Sequence, residues 1–139
     1  MVVLDPKIVN EIVRGSLLRQ GWLMRRVAQQ VSQGHRPLLV GQLYFAHLRK
    51  AKSEMAKGYG ADQRLSVLRS NTQMVICHEV LIDKAKELFE QQKNYKADIY
   101  SCLTAGIALA TGRPLAVWKD HPYEEFIASE GLKVVPWDK

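Results

Sequence analysis

Hydrophobic residues in this chain recur as short uninterrupted runs that are separated by longer segments of mixed polarity. A short apolar run bounded by proline, glycine or charged residues is typical of a buried β-strand. Strands of this kind that alternate with helices predict a mainly parallel sheet covered on both faces. We therefore predict an α/β fold, a single three-layer α/β/α domain over residues 1–139 with a short central sheet. The predicted strands are Met1–Leu4, Pro37–Val40, Met74–Cys77, Leu115–Trp118 and Leu132–Val135.

The segments between the strands predict amphipathic helices, with one exception. Residues 99–110 are apolar on nearly every side, which is typical of a helix buried at the centre of a fold. The third helix begins near Gln42 and is broken by the turn-forming cluster Lys57–Gly60. The other predicted helices are Lys7–Arg14, a second that Ser16 caps and that runs to about Gln33, Asp62–Ser70, residues 79–92, Ile99–Ala110 and Tyr123–Ser129.

Length and composition narrow the class of protein. The chain has 139 residues, too few for two stable cores, and 47% of them are hydrophobic, too many for a disordered chain. No apolar run approaches the ~20 residues of a membrane-spanning helix, and the first residues lack the pattern of a signal peptide. Cys77 and Cys102 exclude a disulfide framework or a four-cysteine zinc site, and their apolar surroundings predict buried thiols. We expect a cytoplasmic protein.

The net charge of +6 is distributed unevenly. Residues 1–75 carry a balance of +8 and the remainder −2, and no acidic residue lies between Glu11 and Glu54. This asymmetry fits a polyanion, fits an acidic protein partner equally well, and also fits two solvated helix faces, the interpretation that charge alone favours. Three tryptophans, Trp22, Trp118 and Trp137, are too dispersed to predict a base-stacking platform. The basic residues predicted to contact a phosphate backbone are Arg19, Arg25, Arg26, Arg49, Lys50 and Lys52.

Three aspartates fall at the predicted carboxyl edge of the sheet, where ligands bind in open parallel sheets. Asp5 ends the first strand, Asp98 precedes the buried helix, and Asp120 follows the fourth strand. Three converging carboxylates favour Mg²⁺ or Mn²⁺, which could activate water for phosphoryl displacement. Each acid also has a structural alternative, since Asp5 and Asp98 can cap helices and Asp120 can start a turn before His121 and Pro122.

Together these segments resemble the PIN-domain nucleases, which include the ribonuclease toxins of toxin–antitoxin pairs. Val2–Asp5 is similar to the family's opening strand with its first aspartate. Lys96–Tyr100, followed by the apolar Thr104–Ala110, resembles the aspartate before the central helix, and Arg113–Asp120 resembles the strand leading to the last aspartate. The resemblance covers nearly the whole chain and implies a PIN-like fold.

The chain departs from the family pattern at three positions. In Leu43–Arg49, where the family has a glutamate, this chain has His47, and Pro6 and Trp118 replace residues that are usually hydroxylic. A hard cation thereby loses an anionic ligand, although His47 could itself bind Mn²⁺ or Zn²⁺. Glu54 lies seven residues further along the helix, ~10 Å away, too far to take the missing ligand's place.

The resemblance therefore leads to two hypotheses. In the first, the chain is a relative of metal-dependent endoribonucleases with weakened or lost activity, in which Asp5, Asp98 and Asp120 hold Mg²⁺ or Mn²⁺ for catalysis, His47 is a fourth metal ligand, and RNA is bound. In the second, the chain is a non-catalytic module that binds an antitoxin-like or other protein, or forms homo-oligomers. A third hypothesis, a small nucleotide- or phosphate-binding α/β protein, has no glycine-rich loop to support it.

Overall fold

The computed structural model describes residues 1–54 and 60–138. The predicted helix break at Lys57–Gly60 lies mostly outside these residues. Within them the chain forms five strands, β1 (Val3–Leu4), β2 (Leu38–Val40), β3 (Gln73–Val75), β4 (Leu115–Val117) and β5 (Val134–Pro136). The helices in the same part of the chain are α1 (Pro6–Arg14), α2 (Leu17–Ser32), α3 (Gly41–Glu54), α4 (Ala61–Ser70), α5 (Glu79–Gln91), α6 (Ile99–Thr111) and α7 (Glu124–Glu130).

The five strands form one sheet in the order β3-β2-β1-β4-β5, and every neighbouring pair is parallel. The predicted α/β class and parallel sheet are therefore confirmed. The edge strands are displaced from the predicted apolar runs by one or two residues, because hydrogen-bond register decides where a strand begins. Gln73 is paired with Leu38, and Val134 is paired with Leu115.

The strand order places helices on both faces of the sheet. Right-handed crossovers put α1–α4 on one face and α5–α7 on the other. On the first face α1 packs against α2 and α4, and α3 packs against α4, whereas α5 packs against α6 on the second. None of the helices in the described ranges is long and apolar enough to cross a membrane.

Helix α6 is the buried central helix that the sequence predicts. Eight consecutive residues, 101–108, are buried, and the helix contacts β1 and β4. Asp98 caps its first turn by accepting a hydrogen bond from the Ser101 N–H at 2.8 Å. Gly112 ends it in the left-handed region at φ 66°, a conformation that favours glycine.

The carboxyl ends of β1 and β4 form the point at which the sheet changes its direction of winding, the usual place for a ligand crevice. Asp5 follows β1 directly, and Trp118 follows β4. Because a crossover helix runs antiparallel to the strands, the first turn of α6 begins at this same edge. The fold thus brings Asp5 and the start of α6 towards one crevice.

Candidate functional site

Asp5 is buried at the carboxyl end of β1, with 2% of its surface exposed. Its Oδ2 accepts a hydrogen bond from the Lys7 N–H at 2.9 Å and so caps α1. Its Oδ1 accepts a hydrogen bond from the hydroxyl of Tyr123. Burial raises the pKa of Asp5, while the hydrogen bonds from Tyr123, Lys7 and Ile8 act in the opposite direction.

Tyr123 is the partner that the sequence did not predict for Asp5. The Tyr123 side chain is fully buried. Its backbone N–H donates to His121 Nδ1 at 3.2 Å, and the two rings stack at 5.8 Å. Burial and the nearby carboxylate of Asp5 raise the pKa of the Tyr123 phenol well above its usual value.

The other two predicted acids are on the surface. Asp98 is exposed and its carboxylate caps α6 through Ser101, the capping alternative considered above. Asp120 is exposed and adopts φ 62°, in the left-handed region that aspartate tolerates in turns. Among residues 1–54 and 60–138, no three His, Cys, Asp or Glu side chains come together as a metal site. These donors therefore do not fit a divalent cation held by three aspartates.

His47, predicted as a further metal ligand, is joined to an arginine. Arg14 Nη1 donates to His47 Nδ1 at 2.6 Å. Since guanidinium has no acceptor, His47 is the acceptor, so the ring is neutral and carries its proton on Nε2. Glu54 Oε2 lies 3.4 Å from Arg14 Nε. Burial, with the charges of Arg14 and Lys50, lowers the pKa of His47 to about 4, and Glu54 opposes this shift.

The basic residues predicted to bind RNA lie on two helices, three on α2 and three on α3. Arg19 is already engaged, because its Nη1 lies 3.3 Å from Glu11 Oε2 and its guanidinium lies 5.9 Å from the ring centre of Trp118. Arg26 lies 5.3 Å from the ring centre of Trp22. The remaining four are exposed, namely Arg25, Arg49, Lys50 and Lys52.

The three tryptophans, dispersed in the sequence, are neighbours in the fold. The Trp22 Nε1–H donates to the backbone carbonyl of Trp137 at 2.6 Å. Trp22 and Trp118 line the same shallow cavity of about 240 Å³. Trp118 and Trp137 are buried, whereas Trp22 is 41% exposed. The cluster therefore anchors α2 to the carboxyl edge of the sheet and leaves one ring partly accessible.

A largely apolar groove of about 300 Å³ runs between α2 and α4. Leu17, Met24 and Val67 are among the residues that line it. Leu17 is 84% exposed and its neighbour Leu18 is 86% exposed, which is unusual for two consecutive leucines on a helix.

Comparisons with known proteins agree with this architecture. The sequence matches no protein-family model, and no curated protein is detectably similar to it. A chain of a toxin–antitoxin complex from Klebsiella pneumoniae aligns with a TM-score of 0.60 at 15% identity, over 97% of this chain and 96% of that one. A chain of VapBC2 from Rickettsia felis, bound to a DNA fragment from its promoter, aligns with a TM-score of 0.68 at 14% identity, over 99% and 100%.

The chain has a PIN-like fold. The predicted resemblance to PIN-like toxins is confirmed at the level of the fold. Identities this low leave function to the chain's own residues. In this PIN-like chain Asp5 and Asp98 lie at the expected edge of the sheet, where each caps a helix and Asp5 also accepts a hydrogen bond from the phenol of Tyr123.

Three features of the site were missed from sequence. Tyr123 contacts Asp5, which is 118 residues away in the chain, and Arg14 contacts His47, which is 33 residues away. No local sequence pattern reveals contacts between residues so far apart. Leu17 and Leu18 did give a signal, since two adjacent leucines at the start of an amphipathic helix cannot both face the core.

Proposed function

We propose that this chain is a PIN-like domain, spanning residues 1–139, that binds a protein partner of the antitoxin kind. In this proposal it is related to metal-dependent endoribonucleases, but its RNA-hydrolysing activity is weakened or lost. The observation that carries the proposal is the exposed pair Leu17 and Leu18 beside an apolar groove. The similarity in fold to chains of toxin–antitoxin complexes supports it.

The energetic argument begins with the two leucines. Burying one leucine side chain contributes about 1.5–3 kcal/mol, so covering both would contribute about 3–6 kcal/mol to binding. Leu17 lines the groove between α2 and α4, and Leu18 lies beside Trp22 on the adjoining cavity. An amphipathic helix that places its apolar side chains in the groove is the simplest occupant.

Charge narrows the choice of partner. Helix α2 carries three arginines and no acidic residue. A second copy of this chain docking through the same surface would bring these arginines together, which is unfavourable. A segment with leucine-like residues on one face and acidic residues on the other would instead be attracted. We therefore propose an acidic amphipathic segment as the occupant.

The test uses a labelled helical peptide with a leucine face and a glutamate face, and a second peptide with lysine in place of glutamate. Fluorescence anisotropy should detect tighter binding of the glutamate peptide. Leu17→Asp should weaken it at least about tenfold, which corresponds to 1.4 kcal/mol. An aspartate in the first turn is compatible with the helix dipole, so the variant should stay folded.

The control for this experiment is Val80→Asp. Val80 is 69% exposed and lies in the first turn of α5, on the opposite face of the sheet. The same substitution there should leave peptide binding unchanged. Binding that survives Leu17→Asp, or that Val80→Asp weakens equally, would contradict the groove as the binding site. Light scattering on the free chain would report any homo-oligomer.

Weakened RNA hydrolysis requires its own measurement. Wild type and Asp98→Asn are incubated with total RNA and Mn²⁺ or Mg²⁺, the cofactors of the ancestral reaction. We expect no cleavage above that of the variant, because the acids do not come together as a metal site in the described chain. Cleavage that needs both the cation and Asp98 would refute this part of the proposal.

RNA binding without hydrolysis is a second candidate, favoured by the exposed basic residues on α2 and α3. Binding to single-stranded RNA should weaken with salt. Each phosphate contact contributes about −0.7 to the slope of the logarithm of the binding constant against the logarithm of the salt concentration. Arg49→Gln should reduce that slope, whereas Lys133→Gln at the far end of the sheet should not. With either proposed function, protein binding or RNA binding, we propose a cytoplasmic location, since Cys77 and Cys102 are free thiols.

A further inference from the structure

The crevice at the carboxyl ends of β1 and β4 contains a buried carboxylate with a hydroxyl directed at it. Asp5 is 2% exposed and Tyr123 is fully buried, and the two side chains are hydrogen-bonded although 118 residues separate them. A carboxylate at this depth needs a partner, since an unpaired buried charge is costly. A divalent cation would be one solution and a hydroxyl proton is another.

Both oxygens of the Asp5 carboxylate accept hydrogen bonds. Tyr123 has a single phenolic proton, which it donates to Asp5 Oδ1. The second oxygen of Asp5 accepts from the Lys7 N–H at 2.9 Å. In the described chain, none of these side-chain atoms is left buried without a partner.

Asp98 is a second acid that acts on Tyr123. Its carboxylate is turned to the N–H of Ser101 and is exposed to solvent. It lies close enough to Tyr123 to interact with it electrostatically. The phenol therefore contacts the acid that follows β1 and also interacts electrostatically with the acid that precedes α6.

We propose that the Tyr123 hydroxyl takes the place of the cation at this acidic site, which holds Asp5 in a stable metal-free arrangement and excludes divalent ions. The proposal rests on the weakened or lost hydrolysis proposed above and is independent of the binding groove. It assigns a role to Tyr123 that goes beyond packing: its ring is buried beside Asp5, and its hydroxyl donates the hydrogen bond that the buried carboxylate needs.

The first test is a double-mutant cycle on the purified chain, in which the stability of each variant is measured by urea unfolding in EDTA. Tyr123→Phe should lower the urea midpoint by about 1 M, because Asp5 loses its hydroxyl donor while remaining buried. Asp5→Asn in the Tyr123→Phe background should recover most of that loss, since a neutral amide does not need the phenolic proton. The exposed Tyr95 provides the matched control, Tyr95→Phe, which should leave the midpoint unchanged.

The second test uses Mn²⁺ as the probe. The thermal midpoint of the wild type should be the same in Mn²⁺ and in EDTA. Tyr123→Ala removes the ring that is buried beside Asp5, so its midpoint should rise with Mn²⁺ by about 5 °C. That rise should disappear in Tyr123→Ala combined with Asp98→Asn.

Several results would overturn the proposal. One is a wild-type midpoint that rises with Mn²⁺ as much as that of Tyr123→Ala, and another is a folded Tyr123→Ala that does not respond to Mn²⁺. If Tyr123→Ala does not fold, the double-mutant cycle decides: a loss in Tyr123→Phe that Asp5→Asn fails to recover contradicts the proposal. Tyr123→Phe should still bind the glutamate peptide, so failure here is distinguishable from failure of the proposed function.

Discussion

The pair formed by Arg14 and His47 leads to a prediction about pH. His47 accepts a hydrogen bond from a guanidinium at 2.6 Å, a role that only the neutral ring can play. Protonation would place an N–H against the N–H of Arg14 and add a second positive charge beside it. Acidification should therefore destabilise the folded chain through His47.

The size of this loss of stability follows from the difference between the His47 pKa in the unfolded chain and in the folded chain. In the unfolded chain the His47 pKa is 6.5, and in the folded chain it is lowered to about 4, first by burial and then by Arg14 and Lys50. The unfolded state takes up a proton first as the pH falls, so stability present above pH 6.5 is lost on the way down to about pH 4. At 1.36 kcal/mol per pKa unit, this shift corresponds to a loss of at most about 3.4 kcal/mol in the free energy of unfolding. Because the ring is partly exposed, solvent screening reduces this to about 1–2 kcal/mol.

The assay is urea unfolding of wild type and His47→Gln from about pH 7 to about pH 4.5. Glutamine can still accept the hydrogen bond from Arg14 but does not titrate, so the difference between the two curves isolates His47. The free energy of unfolding of the wild type should fall by about 1–2 kcal/mol more than that of the variant across this pH range. The exposed His35 supplies the control, His35→Gln, which should follow the wild type. Parallel curves for wild type and His47→Gln would refute the reasoning.

Two further predictions concern glycine and cysteine. Gly15→Ala should cost about 1–3 kcal/mol in unfolding free energy, because an added Cβ would overlap the carbonyl oxygen of Glu11. Gly21→Ala, where an added Cβ meets nothing, should instead stabilise α2 by about 0.5–1 kcal/mol in the same urea experiment. Burial, and then the charge of Asp98, raises the pKa of Cys102 to about 12, so at pH 8 roughly one thiol in ten thousand is ionised. A thiol reagent should label it only in urea, and rapid labelling of the folded chain would contradict its burial.

The fold could be predicted because its main signals are local. A helix that is apolar on all sides has to be central, and α6 is buried over eight consecutive residues. Short apolar runs that alternate with helices favour a parallel sheet, and all four strand pairs are parallel. The strand edges were less predictable, because Gln73 belongs to β3 through its pairing with Leu38 and not through its own hydrophobicity.

The site could be predicted only in part, because the sequence indicates where an acidic residue lies in the fold but not which side chain contacts it. Topology fixes where Asp5 and Asp98 lie, since the carboxyl end of β1 and the first turn of α6 share one edge of the sheet. It does not fix what meets them. That depends on Tyr123, which follows a turn after β4 and whose sequence context resembles any buried aromatic residue.

The same distinction bears on how the buried polar groups of this chain are satisfied. A buried carboxylate destabilises the fold unless a cation or a hydrogen-bond donor meets it. At Asp5 the donor is the phenol of Tyr123, and at His47 the neutral ring accepts from Arg14, whose charge is partly offset by Glu54. Both acceptors are satisfied by protein side chains, although Arg14 Nε and Nη2 are buried without a hydrogen-bond partner in the part of the chain that the structure describes. The groove proposed as the binding surface is lined by none of these four hydrogen-bonded residues, so we expect a substitution at Leu17 to leave both hydrogen-bonded pairs in place.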